Sequence, residues 1–198
     1  CIELCRGELE KSGLKSQVIV KNNVPSLVCN VRNNSSELLL TGHLDVIEAK
    51  KEQFKPFEKN GRLFGRGAAD MKAGCAVAVS VMKKLVEEGR ADNVGLVFTC
   101  DEETGGELGA GYIVRGGHVQ ADYVGNCEGG SVLEVGCGHN GVLWLDVTVH
   151  GRAAHASRPE KGLNAFEKMA ELVTVLQPLK GRFAVPERTF KTPAGSER

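Results

Sequence analysis

The sequence has 198 residues, with 25 Lys and Arg balanced by 25 Asp and Glu, and 41% of its residues are apolar. At roughly 150 residues per domain, this is one full domain and something short of a second. The composition excludes a disordered chain, the zero net charge gives no basic field for nucleic acid or an anionic membrane, and no run approaches the ~20 apolar residues of a membrane span. No signal-peptide pattern opens the sequence, and its first residue is Cys rather than Met, which leaves the true N-terminus open.

Cys1 to Gly13 reads as the end of a helix stopped by Gly13. Three short β-like runs follow, Gln17–Val20, Ser26–Cys29 and Leu38–Leu40. Residues 47–69, with Pro56 and a Gly-rich end, read as an irregular loop. Met71 to Glu88 has apolar residues at helical spacing, with Asp70 placed as an N-cap and Gly89 as the stop. Val94 to Cys100 reads as a buried parallel strand. Leu108–Val114 reads as a short helix and Ala121–Val124 as a strand. This rhythm predicts an α/β fold, a mostly parallel sheet with flanking helices.

After Gly138 the character changes. Val142–Val149 partly alternates, as a strand of a different sheet would, and a helix is expected from about Leu163 to Leu179. A boundary near 138–141 divides residues 1–139 from residues 140–198, and the second part is too short to close a layered domain with its own core. The seven cysteines show no CxxC pair, and most have apolar neighbours. They read as small buried hydrophobes in a reducing, cytoplasmic compartment rather than a Cys127/Cys137/His139 metal cluster.

Candidate ligands gather at strand ends. His43 and Asp45 follow the Leu38–Leu40 run, Asp101-Glu102-Glu103 follows Val94–Cys100, and Glu128 follows Ala121–Val124. Parallel sheets bind ligands outside the carboxyl ends of their strands. Taken singly, Asp70 reads as a helix cap, the acidic triplet as a solvated loop, and His43 as a loop histidine. Taken together, carboxylates and an imidazole suit a divalent cation such as Zn²⁺. Asp45 lies two residues after His43, on the same side of an extended segment, and can orient it. Of two adjacent glutamates, one can bind metal while the other acts as general base.

Four motifs carry a family resemblance: Thr41–Val46, Gly65–Gly74, Asp101–Gly105 and Gly151–Ser157. In this order and spacing they resemble the M20 family of metallopeptidases and amidohydrolases, over about residues 37–170. The resemblance implies two zinc ions per complete enzyme, with Co²⁺ as a possible substitute. It places Asp70 as the bridging ligand, His43 and Glu128 on one metal and Glu103 on the other. Glu102 matches the general base, Asp45 the residue that orients His43, and His155 a lid histidine that stabilises an oxyanion. The implied reaction is hydrolysis of an amide in a small N-acyl amino acid or peptide, by a homodimer formed through the lid. An aminopeptidase or dipeptidase, and a non-catalytic fragment that only binds metal or dimerises, are the alternatives.

The family's last metal ligand is a His, and none of the five here matches it. The expectation is therefore an incomplete chain, with one full metal site, half of the second, and the start of an α+β lid at residues 140–198. Within that lid, Asn164 reads as either a family position or a helix N-cap. Arg152 and Arg158 are either carboxylate binders or solvated.

Overall fold

The apolar runs up to residue 126 become the strands of one sheet, and local turn chemistry sets their order. In chain order the elements are α1 (Ile2–Glu10), β1 (Ser16–Lys21), β2 (Val24–Cys29), β3 (Ser35–His43), β4 (Phe57–Lys59), β5 (Arg62–Phe64), α2 (Ala73–Glu87), β6 (Val94–Thr99), α3 (Ala110–Arg115) and β7 (Gln120–Asn126). The structure is a computed structural model in which residues 1–129, 136 and 143–183 are described. Two compact units divide the chain, Cys1–His139 and Asn140–Arg198.

In the first unit the main sheet has the order β1-β2-β6-β3-β7. β3 pairs in parallel with β6 and with β7, while β2 is antiparallel to both β1 and β6. Only β2 therefore runs against the others, and the sheet is mainly parallel, as the sequence rhythm predicts. Asn22 and Asn23 join β1 to β2 with φ of 47° and 65°. Two positive φ values make the tight turn whose twist matches a hairpin, and asparagine tolerates them better than most residues.

The strands alternate their side chains between two layers. Leu27 and Cys29 of β2 and Leu96 and Phe98 of β6 pack with Leu9 of α1 and with Cys75, Ala78 and Met82 of α2. Val28, Leu39 and Val97 point the other way and pack with Ile113 of α3 and with Val119. The sheet is thus covered by helices on both faces.

Two local expectations change. The stretch 47–69 is not wholly irregular, because β4 and β5 form a hairpin around Asn60 and Gly61, both at positive φ. The Phe57 and Phe64 rings, directly opposite across this hairpin, stack with centroids 5.0 Å apart. Asp70 is not a helix N-cap. It has φ −116° and ψ 104°, and α2 begins three residues later with no side-chain cap.

In the second unit, α4 (Ala165–Leu176) and α5 (Leu179–Phe183) are helical. Asn164 caps α4, accepting hydrogen bonds from the backbone N–H groups of Phe166 at 3.0 Å and Glu167 at 3.5 Å. Arg152 and Leu163 exchange two backbone bonds of 3.0 and 2.8 Å. The strand expected over 142–149 does not form in its described part, 143–149. Alternation marks a face but supplies no partner for the backbone, and a lone strand is not stable in water. Leu143 and Trp144 are accordingly 80% and 90% exposed. Among the described residues no helix is long and apolar enough to cross a membrane.

Candidate metal centre

The carboxyl ends of β3, β6 and β7 meet because their registers align. His43 is level with Thr99, the last residue of β6, and Thr41 is level with Asn126, the last residue of β7. The residues just beyond, Glu102 and Glu128, therefore emerge beside His43. Asp70 reaches the same point from the non-helical loop that precedes α2. One ligand atom from each of His43, Asp70 and Glu128 lies within 4.8 Å of the other two. His43 Nε2 is 3.1 Å from Asp70 Oδ1. With ligand bonds of 2.0–2.2 Å, two donors on a tetrahedral zinc stand about 3.4 Å apart. The separation and the donor types both fit one shared divalent cation.

His43 is buried, with 1% of its surface exposed, and is ringed by acids. Its Nδ1 faces Asp45 Oδ1 at 3.3 Å, out of hydrogen-bond alignment, and neither atom has another partner. Its Nε2 is 3.8 Å from Glu102 Oε2. Burial disfavours the charged ring, but Asp45, Glu102, Glu128 and the contact with Asp70 outweigh it, so the His43 pKa is raised. The Glu102 pKa is also raised. Burial is its largest cause, Glu128, Glu103 and Asp45 add to it, and His43 opposes it. About half of the Glu102 side chain remains exposed, which keeps the carboxylate reachable by water. A cavity of about 340 Å³ opens beside these groups, touching His43, Glu102 and Glu128 and lined more deeply by Val97, Ile113 and Val119.

A model of peptidase family M20/M25/M40 matches residues 39–187. The chain belongs to this family. It is 30% identical over 189 residues to a probable succinyl-diaminopimelate desuccinylase of Staphylococcus epidermidis, covering 89% of this chain and 46% of that protein. It is 31% identical over 162 residues to an acetylornithine deacetylase of Aliivibrio fischeri, covering 79% and 42%. Its fold matches a tripeptidase of Staphylococcus aureus with a TM-score of 0.56 at 20% identity, over 87% of this chain and 49% of that one. The chain spans about half the length of the curated relatives it matches.

Within this M20 chain the other expected residues are placed as follows. Asp45 stands against His43 and also accepts the Glu103 backbone N–H at 3.0 Å. The Glu103 carboxylate is not in the three-residue cluster. His155 belongs to the second unit, where its exposed ring meets the Ser157 hydroxyl at 2.8 Å. Arg152 donates to the Lys161 carbonyl at 3.0 Å. Arg158 is exposed. Cys127 lies in the first unit, while Cys137 and His139 are outside the described residues.

Several positioning groups were not singled out from the sequence. Asp101 is buried, and its Oδ2 accepts the N–H groups of Leu108 at 2.8 Å and Gly109 at 2.9 Å, which pins the loop carrying Glu102 and Glu103. A Cβ on Gly109 would overlap Asp101 Oδ1. Gly74 sits so close to the Cys127 carbonyl that a Cβ would overlap it, and this contact holds the start of α2 against the segment bearing Glu128. Met71 Sδ accepts the His43 N–H at 3.1 Å, and Cys75 Sγ donates to the His43 carbonyl at 3.3 Å. Asp101 could have been separated from its two acidic neighbours by the Gly-rich stretch after them, which leaves backbone N–H groups in need of an acceptor.

Proposed function

We propose that the complete protein is a metal-dependent amidohydrolase, converting the amide of a small N-acyl amino acid or peptide, with water, into a carboxylate and a free amine. The observation that carries this reading is the convergence of His43, Asp70 and Glu128 with Glu102 beside them. His43, Asp70 and Glu128 would hold one zinc ion, and Glu103 would contribute to a second together with a ligand that this chain does not supply. Co²⁺ could replace zinc. A bound divalent cation polarises the carbonyl and acidifies water.

The chain's own residues do the rest. Asp45, against His43 Nδ1, would orient the ring so that Nε2, already beside Asp70, could ligate a bound cation. Glu102, whose Oε2 lies 3.8 Å from His43 Nε2, takes one proton from the attacking water and passes it to the leaving nitrogen. The second unit would act as the start of a lid that also joins two copies, with His155 donating to the developing oxyanion. The exposed Leu143, Trp144 and Phe166 support an apolar contact there. The six described cysteines are free thiols, which suits a cytoplasmic setting.

The test is zinc binding to the 198-residue chain by chelator competition, paired with hydrolysis by the complete protein. His43→Ala should abolish tight zinc binding, and Glu102→Gln should lower turnover about 10²–10⁴-fold while leaving zinc bound. Full turnover by Glu102→Gln would overturn its role, and two tightly held zinc ions on the 198-residue chain would overturn the half-built second site.

A further inference from the structure

Two of the three candidate ligands have a polar partner two residues away in the chain. His43 has Asp45, and Glu128 has Asn126. The second pairing is not part of the family resemblance and has its own geometry. Asn126 Nδ2 donates to Glu128 Oε2 at 3.3 Å. Thr41 Oγ1 in turn donates to Asn126 Oδ1 at 3.5 Å. The amide's orientation follows from chemistry, because an ionised carboxylate only accepts, so the NH₂ must face Glu128. The oxygen then faces Thr41, whose hydroxyl can donate. The two strands support this chain of contacts: Thr41, two residues before the end of β3, is the register partner of Asn126, the last residue of β7, and the Cys127 backbone N–H donates to the Thr41 carbonyl at 3.0 Å.

We infer that Asn126, held by Thr41, is a positioning residue that orients the Glu128 carboxylate for metal binding. This rests on the reading of Glu128 as a ligand. Accepting one amide hydrogen leaves a carboxylate with lone pairs to spare for a cation. A neutral donor is the suitable partner, since Asp45, Asp70 and Glu102 already crowd the site with negative charge and another carboxylate would repel Glu128. Fixing a flexible ligand beforehand removes an ordering cost from metal binding.

The experiment measures zinc affinity of the folded 198-residue chain by competition with a chromophoric chelator, with circular dichroism to check folding. Asn126→Leu keeps the size and removes the donor, and it should weaken zinc binding about 10- to 100-fold. Thr41→Val should weaken it less, and should have no further effect in the Asn126→Leu background, because Thr41 acts through Asn126. A purely structural role would instead give additive losses. Glu128→Ala separates this inference from the reading beneath it. If Glu128→Ala leaves zinc affinity unchanged, Glu128 is not a ligand and the underlying reading fails. If Glu128→Ala weakens binding but Asn126→Leu does not, the positioning role fails alone. Should Asn126→Leu misfold, Asn126→Ser, which shortens the side chain so that it no longer spans from Thr41 to Glu128, carries the same expectation.

Discussion

The two units of this chain solve the problem of burial differently. Among the described residues every buried apolar residue, from Ile2 to Val119, belongs to the first unit, where a sheet sandwiched by helices gives each strand face something to cover it. No described residue of the second unit is buried, although Leu143, Trp144, Phe166, Val173 and Leu176 are all apolar. The sequences of the two units are equally capable of apolar patterning. What differs among the described residues is the number of elements available to close a layer, and a stability of its own follows from closure rather than from hydrophobicity.

The strongest way to break this comparison is to remove part of the first unit's core. Phe98 is fully buried between the sheet and the helices, and Phe98→Ala should cost about 3–5 kcal/mol, read as a lower midpoint in urea unfolding followed by circular dichroism. A loss below about 1 kcal/mol would show that this layer is not close-packed. Trp144 is the only tryptophan, and its emission should already be that of a solvated indole before denaturant is added. Next in size is Gly109→Ala. A methyl group there overlaps Asp101 Oδ1, so the loop that carries Glu102 must shift, at a cost of about 1–3 kcal/mol in the same assay. Asp101→Ala in the Gly109→Ala background should add less than it does alone, since the overlap partner is gone.

The legible parts of the fold were those in which one strand or helix carries its own signal. Val94–Thr99 reads as a buried strand because both of its faces are covered, and the Ala73–Glu87 helix shows its apolar stripe. The hairpin at Phe57–Phe64 was missed because three-residue strands with every side chain exposed have no periodicity, although Asn60-Gly61 is itself a turn signal. Asp70 illustrates a different limit. Locally it has the composition of a helix cap, and only the loop's path toward His43, a contact across 27 positions, shows it as a partner of the imidazole. Glu102 and Glu103 are equivalent to any spacing argument. The backbone tells them apart, since the Glu103 N–H is tied to Asp45 while Glu102 Oε2 faces His43. The strand expected over 142–149 is absent from its described part, 143–149, for lack of partners, which no pattern within it could reveal.

Smaller changes sharpen the contrast within single helices. Asn164→Ala removes the cap of α4 and should cost about 1 kcal/mol of local helix stability, seen as faster amide exchange in residues 165–168. The main unfolding transition, set by the first unit's core, should stay where it is. A shift in that midpoint would show that the two units share their stability.

The smallest expected effect concerns charge at the junction of α1 and α2. Glu8 accepts from Lys11 at 2.7 Å and from Lys83 at 3.0 Å, and these lysines hold its carboxyl down at about 2 against an ordinary 4.5. A folded-state pKa below the unfolded one means that the native state releases this proton more readily. The resulting stabilisation is complete above pH ~4.5 and is lost as the pH falls toward about 2. Glu8→Gln removes this acid-sensitive part. Its stability should fall less steeply than that of the parent between those two values, and the two curves should run parallel above pH ~5. The gap at neutral pH should be small, because the pair is open to solvent and screened by salt. Curves that stay parallel down to pH ~2 would show that Glu8 titrates normally in the folded chain, and that α1 is held to α2 by Leu9 and its apolar neighbours without help from the lysine.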